Sequence, residues 1–192
     1  MNYLAHIYLS GDNDALKIGN FISDFIRGNK YKNYPEAIQK GILLHRKIDS
    51  FTDENAIVRK SKRRLHERYK HYDGIIIDII FDHFLAKNWQ QFSEVSLLDY
   101  ETHFLELLKS NFEILPVKVQ QIFPYMKEQK WLSSYATLEG IEKVLKGVNK
   151  RTNGKSKMDR AITDLKTLYV EFEQDFTLFF IELQAFVKEN LD

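Results

Sequence analysis

The chain has 192 residues and no cysteine, which excludes disulfide bonds, thiolate metal sites and a cysteine nucleophile. Its hydrophobic content of 44%, with 14 Phe and 10 Tyr, predicts a single domain with a substantial core over residues 1–192. No stretch approaches the roughly 20 apolar residues that cross a bilayer. The first residues also lack the features of a secretory signal peptide. We therefore expect a cytoplasmic protein with no membrane partner.

The net charge of +1 conceals two basic segments. Residues 59–70 carry seven Lys or Arg against one Glu, and residues 146–160 carry six against one Asp, so the rest of the chain has a formal charge of −10. Charges concentrated in this way predict contact with a specific acidic partner. A solvated helix face and a basic loop would give the same pattern without any partner.

Helical patterns run through the whole chain, which contains only three prolines. They predict an all-α fold, a single-domain helical bundle. Asp12 or Asn13 is expected to cap the first helix, Pro35 to open the second, and Thr52 or Asp53 to cap a third, basic helix whose charges face solvent. The first helix is predicted at residues 13–27, and further helices are predicted at residues 75–89, 98–111, 117–128, 137–149 and 159–191.

The segment at residues 75–89 is apolar on nearly every side and is therefore predicted to be a buried helix. Asp78 and Asp82 interrupt it one helical turn apart. A buried ionised carboxylate must be neutralised, paired or bound to a metal, because leaving it alone costs several kcal/mol or more. His45 and Asp49 have the same spacing on the inward face of the second helix. The two helices together predict a metal site between them.

Other polar residues also interrupt apolar runs, and a single one of them would more often have a structural role. Asn20, Asp24 and Arg27 are spaced along one predicted helix face. The titratable residues in such positions are His6, Asp24, His45, Asp49, Asp78, Asp82 and His83. Histidine nitrogens with several carboxylates and no sulfur predict Mn²⁺, Mg²⁺, Fe²⁺ or Zn²⁺ as the bound ion. Their number indicates a functional site.

Several enzyme classes lack their motifs here. The chain has no P-loop or Rossmann glycine pattern, no Glu-x-x-His and no G-x-S-x-G nucleophile elbow. His66 and Glu67 resemble the start of a zinc-protease motif, but His71 follows at i+5 and lies on another side of a helix. The remaining chemistry is hydrolysis by a water that a metal activates.

Four segments resemble one family closely: MNYLAHIYL at 1–9, GNFISDFIRG at 19–28, GILLHRKIDSFTD at 41–53 and DIIFDHFLAKNW at 78–89. The chain is similar to the acyl carrier protein phosphodiesterases, and more loosely so beyond residue 89. The resemblance implies a fold related to HD-type phosphohydrolases and a divalent metal, characteristically Mn²⁺. It also implies hydrolysis of the phosphodiester that joins 4′-phosphopantetheine to a serine of the acidic holo acyl carrier protein. The chain departs from the HD pattern, since it contains only the reversed Asp82-His83.

Helical spacing and this resemblance together give each candidate a predicted role. The predicted metal ligands are His45, Asp49, Asp78 and Asp24. The predicted catalytic residues, which would orient the water or protonate the leaving serine oxygen, are His83, His6 and Asp82. The predicted substrate-binding residues, for the phosphate and for the acidic carrier protein, are Arg27, Arg46, Arg59, Arg63 and Arg64.

Two other functions use the same features. A nucleotide phosphohydrolase of the HD superfamily would hold a polyphosphate or an oligonucleotide with its basic segments. A non-enzymatic helical module that binds nucleic acid would keep its buried acids for structure alone. The inward placement of so many carboxylates disfavours this last interpretation, so no nucleic-acid partner is expected. The number of metal ions and the oligomeric state stay open.

Overall fold

The computed structural model describes residues 1–191. Within these residues the chain forms helices and no β-strand, which confirms the all-α prediction. The α-helices are α1 (Tyr3–Tyr8), α2 (Asp14–Ile22), α3 (Glu36–Glu54), α4 (Ala56–Tyr69), α5 (Asp73–Lys87), α6 (Leu97–Ser110), α7 (Val117–Gln129), α8 (Trp131–Ser134), α9 (Leu138–Arg151), α10 (Ala161–Thr167) and α11 (Tyr169–Asn190). None of these helices is long and apolar enough to cross a membrane.

The helix predicted at residues 13–27 ends earlier than expected. Asn13 caps α2 as predicted, since its side chain accepts a backbone N–H from the first turn. The α-helical backbone then stops at Ile22 and tightens into a 3₁₀ turn that contains Asp24. Arg27 follows this turn with an extended backbone and is exposed. Asp24 and Arg27 therefore do not share the single helix face that their spacing predicted.

Helices α2 and α3 cross at two glycines whose backbones touch. A Cβ atom on Gly19 would lie 2.2 Å from the carbonyl oxygen of Ile38, and one on Gly41 would lie 2.5 Å from that of Leu16. Any residue larger than glycine would force the two helices apart at this point. The crossing brings the second half of α2 against the middle of α3, where the candidate site lies.

Helix α5 lies at the centre of the fold, as the apolar run at residues 75–89 predicted. Ten of its 15 residues are buried, and it packs against α1, α4, α9 and α11. Phe81 and Phe84 on α5 contact Phe176 on α11 through their rings. Buried side chains from most of the helices join them in one hydrophobic cluster.

Three further features of the helices differ from prediction. The long helix expected at residues 159–191 is split at Leu168 into α10 and α11, because Leu168 leaves the helical region of backbone angles. Asn55 caps α4 in place of Thr52 or Asp53. Residues 3–8, for which no helix was predicted, form α1.

Candidate metal centre

Three ligand-type side chains meet beside the crossing of α2 and α3. Atoms of His6, His45 and Asp49 lie within 4.8 Å of one another. Nε2 of His6 is 3.2 Å from one carboxylate oxygen of Asp49, and Nε2 of His45 is 3.0 Å from the other. A carboxylate oxygen of Asp24 lies 3.2 Å from the same nitrogen of His45. The structure thus brings together four predicted residues from α1, α3 and the 3₁₀ turn after α2.

Asn20 fixes the orientation of both imidazole rings. Its side-chain nitrogen donates to the carbonyl oxygen of His6 at 2.7 Å and to Oγ of Ser10 at 3.1 Å, so its side-chain oxygen faces Nδ1 of His6 at 2.8 Å. Its backbone oxygen accepts from Nδ1 of His45, also at 2.8 Å. Because both Nδ1 atoms donate, Nε2 of a neutral ring carries a lone pair and faces Asp49. Metal-binding histidines are commonly oriented in this way.

The electrostatics of the cluster require a positive charge between the rings and the carboxylates. Burial and the charge of His45 lower the pKa of His6 to about 4, so His6 is neutral near pH 7. Its buried Nε2 has no hydrogen-bond partner among residues 1–191, and its lone pair faces Asp49. Burial alone would lower the pKa of His45, but hydrogen bonds to Asp24 and Asp49 outweigh it and raise this pKa to about 9. The donor set therefore fits a divalent metal, whose charge would take the place of the proton that His45 holds against the two carboxylates.

Asp78 and Asp82, one turn apart on α5, have different surroundings. Asp78 is 31% exposed at its side chain, and one of its oxygens lies 3.0 Å from the amino group of Met1. Asp82 is fully buried and accepts three backbone N–H groups at the start of α1, at 2.8 to 3.3 Å. These N–H groups begin a helix and lack intrahelical partners. Asp82 therefore anchors the helix that carries His6 and does not face the cluster.

His83 lies apart from the cluster. Its Nδ1 donates to the carbonyl oxygen of Tyr135 at 2.7 Å, and its Nε2 accepts from the hydroxyl of Tyr169 at 2.8 Å. Burial lowers the pKa of His83, so the ring is neutral near pH 7. Since both ring nitrogens are engaged, the geometry gives His83 a packing role and does not support its predicted role as an acid.

The two arginines predicted to bind phosphate do not line the site. Arg46 donates to the carbonyl oxygen of Gly28 at 2.8 Å and lies over the ring of Tyr31 at 5.1 Å. It holds the segment between α2 and α3 in place. Arg27 is exposed and takes no part in the walls of the cleft described below.

The basic helix α4 is only partly free for a partner. Arg64, which was expected to face solvent, contacts Asp175 on α11, and Lys60 approaches the same carboxylate at 3.1 Å. The prediction that most charges of this helix face solvent does not extend to Arg64, because an acidic residue far along the chain packs against it. Arg59 and Arg63 are exposed, and Arg63 forms no ion pair within residues 1–191. None of these residues lines the cleft.

The cluster opens into a cleft of about 1270 Å³. Asp24, His45, Asp49 and Asp78 form part of its lining, together with residues of α1, α7 and α8. Another wall is one face of α9, whose C-terminal part belongs to the basic segment 146–160 but which sequence analysis did not assign to the site itself. Its three- and four-residue spacing could have shown which side chains share this face. They are Gly140, Lys143, Val144, Gly147, Val148 and Arg151.

A model of the family described as acyl carrier protein phosphodiesterase matches residues 1–183. The chain belongs to the acyl carrier protein phosphodiesterase family. A protein of that name from Serratia proteamaculans (strain 568) is 30% identical over 191 residues, which are 99% of both chains. One from Klebsiella pneumoniae subsp. pneumoniae is 31% identical over 193 residues, again 99% of both. One from Photorhabdus laumondii is 32% identical over 181 residues, 94% of this chain and 91% of the relative.

These matches confirm the resemblance that the four sequence segments gave, and they extend it beyond the first half of the chain. No solved structure matches the chain. The predicted relation of the chain to HD-type phosphohydrolases therefore stays a prediction.

Proposed function

We propose that this chain hydrolyses the phosphodiester bond of holo acyl carrier protein and releases 4′-phosphopantetheine and apo acyl carrier protein. The observation that carries the proposal is the cluster of His6, His45 and Asp49, which opens into a large cleft in a member of this family. The relatives are named for a phosphodiesterase that acts on acyl carrier protein. A phosphodiester resists attack because it carries a negative charge, and the cluster is suited to a cation that offsets this charge.

The proposed ligands of a divalent metal are His6, His45 and Asp49, with Asp24 within reach of the same place. When bound, such an ion would supply Lewis acidity towards a phosphoryl oxygen and lower the pKa of a water. Two imidazoles with one or two carboxylates suit Mn²⁺, Mg²⁺, Fe²⁺ or Zn²⁺. This set includes His6, which was predicted as a catalytic acid. Asp78, predicted as a ligand, would instead line the cleft beside it.

The chain's own residues would perform three further tasks. Asn20 holds both rings in the orientation in which Nε2 is free for a cation. Burial would raise the pKa of Asp24, but its hydrogen bond with His45 outweighs burial and lowers the pKa, so Asp24 is ionised. Its half-exposed carboxylate lies at the cleft, where it would orient an attacking water. Asp82 would keep α1, and with it His6, in position.

The exposed arginines of α4 are proposed to contact the acidic carrier protein. Arg63 is exposed and forms no ion pair among residues 1–191, Arg59 is exposed and donates to the backbone oxygen of Asp53, and Arg64 is engaged by Asp175. Exposed charges contribute little to folding, but they accelerate and orient the encounter with a partner of opposite charge.

The proposed function is tested by incubating the purified protein with holo acyl carrier protein and Mn²⁺, and in parallel with a panel of nucleotides. The expected result is apo carrier protein, seen as a mass loss of one phosphopantetheine group, together with the free phosphopantetheine. Protein treated with a chelator should lose this activity and regain it with Mn²⁺. Hydrolysis of nucleotides with intact holo carrier protein would overturn the proposal and favour a nucleotide phosphohydrolase.

A further inference from the structure

One face of α9 lines the cleft without any role in the proposed chemistry. Lys143 and Arg151 lie about two turns apart on this face and are the two Lys or Arg side chains in the lining of the cleft that residues 1–191 form. Neither makes an ion pair or a side-chain hydrogen bond with another residue of this range. Unpaired cations that face a cleft are available to an anionic ligand.

Arg151 is the cation of this face whose charge acts on two other residues of the cleft, Tyr3 and Tyr135. Burial and, to a smaller extent, the charge of Asp24 raise the pKa of Tyr3, the charge of Arg151 lowers it, and the net pKa is about 12. Tyr3 therefore lies within electrostatic reach of a cluster residue and of Arg151 at once. Arg151 has the same influence on Tyr135, which also lines the cleft.

The middle of the face is an uncovered strip of helix backbone. Gly147 is exposed, and a Cβ atom added to it would meet no other heavy atom within 4 Å. Val144 and Val148 lie beside it, one turn apart along the same side of the helix, and are half-buried. This strip is therefore open and partly apolar, and it has room for a slender chain that lies along α9.

Most of the other charged side chains in the lining are acidic, which bears on how a phosphodiester could enter. The acidic residues in the walls are Asp24, Asp49, Asp53, Asp78, Glu128 and Glu139. An anion that approaches these side chains is repelled unless cations offset them. Arg151 offers a planar guanidinium that can hold two phosphate oxygens at once, which gives it the suitable geometry as well as the charge.

We propose that the α9 face binds the phosphopantetheine arm of the substrate: Arg151 contacts the scissile phosphate, and the arm lies along α9 over Gly147, beside the two valines. This inference rests on the proposed function and adds the residues that would recognise its substrate. Arg151 thereby replaces Arg27 and Arg46 as the proposed phosphate-binding arginine.

The role of the Arg151 charge in phosphate binding is tested by comparing Arg151→Gln with Lys150→Gln. Lys150 is the neighbouring exposed residue and does not line the cleft, so the two variants lose the same charge in nearly the same place. Arg151→Gln should raise KM for holo acyl carrier protein and weaken binding of free 4′-phosphopantetheine by about ten- to a hundredfold. Lys150→Gln should stay within about twofold of the unmodified protein on both measures, as expected for an exposed charge. Equal behaviour of the two variants would overturn the role of Arg151.

The strip is tested by comparing Gly147→Leu with Lys150→Leu. Leucine at position 147 would fill the path of the arm, whereas Lys150 is exposed and does not line the cleft. Gly147→Leu should lose most activity on holo carrier protein but hydrolyse a small aryl phosphodiester at the unmodified rate, and Lys150→Leu should keep both activities. Unchanged KM for holo carrier protein in Gly147→Leu would overturn the path over α9. Failure of the unmodified protein to cleave holo carrier protein would instead overturn the proposed function itself.

Discussion

Asn20 accepts a hydrogen bond from Nδ1 of His6 at 2.8 Å, and this contact determines which nitrogen of the ring faces the cleft. The direction of the Asn20 amide is in turn determined by its own two donations, to the carbonyl oxygen of His6 and to Ser10. A fully buried side chain that does not touch the cleft thus sets the chemistry available inside it.

Replacing Asn20 with alanine should weaken Mn²⁺ binding by about 10- to 100-fold, which is the usual cost of losing a partner that orients a metal ligand. His6 would then be free to turn its ring or to exchange its tautomer. Isothermal titration with Mn²⁺ gives the affinity, and circular dichroism monitors the fold. Ser10→Ala serves as the control, because it removes one contact of Asn20 but keeps the one with His6. A folded Asn20→Ala variant with unchanged Mn²⁺ affinity would contradict this role.

Replacing His45 or Asp49 with alanine should abolish hydrolysis and reduce bound metal, while the helical circular dichroism is largely retained. Each variant removes one donor from a cluster of three, so the remaining atoms hold an ion poorly. Metal content and activity are measured after chelation and replenishment with Mn²⁺. His103→Ala is the matched control, because His103 is exposed and outside the cleft. Full activity of both variants would place the site elsewhere.

If water is the nucleophile at phosphorus, hydrolysis in ¹⁸O-labelled water should place the label on the released phosphopantetheine phosphate. The serine oxygen of the carrier protein would then keep its original isotope. Mass spectrometry of both products distinguishes the two positions. Label on the serine oxygen would mean C–O cleavage and would rule out attack at phosphorus.

Asp175→Asn should lower the free energy of unfolding by about 2 kcal/mol near pH 7, because it weakens charged hydrogen bonds at a buried carboxylate. Burial would raise the pKa of Asp175, but hydrogen bonds from Arg64 and Ser61 outweigh it and lower the pKa. Because the pKa of Asp175 is lower in the folded than in the unfolded protein, its ionised form stabilises the fold at pH values above the unfolded pKa of about 4. This stabilisation is lost as the pH falls through the folded pKa. Urea titrations should therefore show a difference between the two proteins that shrinks below about pH 4. A difference that is independent of pH would refute the ionic contribution.

Arg63→Glu should raise KM for holo acyl carrier protein and flatten its dependence on salt, because it reverses an exposed charge on the proposed docking face. Arg64 is unsuitable for this test, since a glutamate there would face Asp175. Lys109→Glu provides the same charge change on α6, outside both basic segments and the cleft. Steady-state kinetics at several salt concentrations compare the two variants. If they behave alike, α4 does not dock the carrier protein.

Sequence was sufficient where the decisive information is local. The spacing of His45 and Asp49 places both on one face of a helix, and the apolar run around Asp82 requires burial; the structure has both features. Sequence was insufficient where a distant segment decides the outcome. Asp82 meets the start of α1, and Arg64 meets Asp175 on α11, and no periodicity within one helix contains those partners.

The position of Asp24 shows a second kind of limit. Its spacing from Asn20 suggested a common helix face, but α2 tightens into a 3₁₀ turn before reaching it. The carboxylate still arrives beside His45, through the turn and not through the helix. Helix ends depend on tertiary contacts as well as on local preference, so their bounds are the least predictable part of a helical pattern.

The contact of Gly19 with Gly41 sets the distance between α2 and α3 beside the metal centre. Asn20 follows one glycine directly, and His45 lies one turn beyond the other, so any added methyl group would be transmitted as a wider gap between them. Alanine at either glycine is therefore expected to reduce activity as strongly as alanine at a catalytic residue, although neither glycine has a side chain that could contact an ion or a substrate. Replacing Gly19 and Gly41 with residues of increasing size would measure how much separation between α2 and α3 the reaction tolerates.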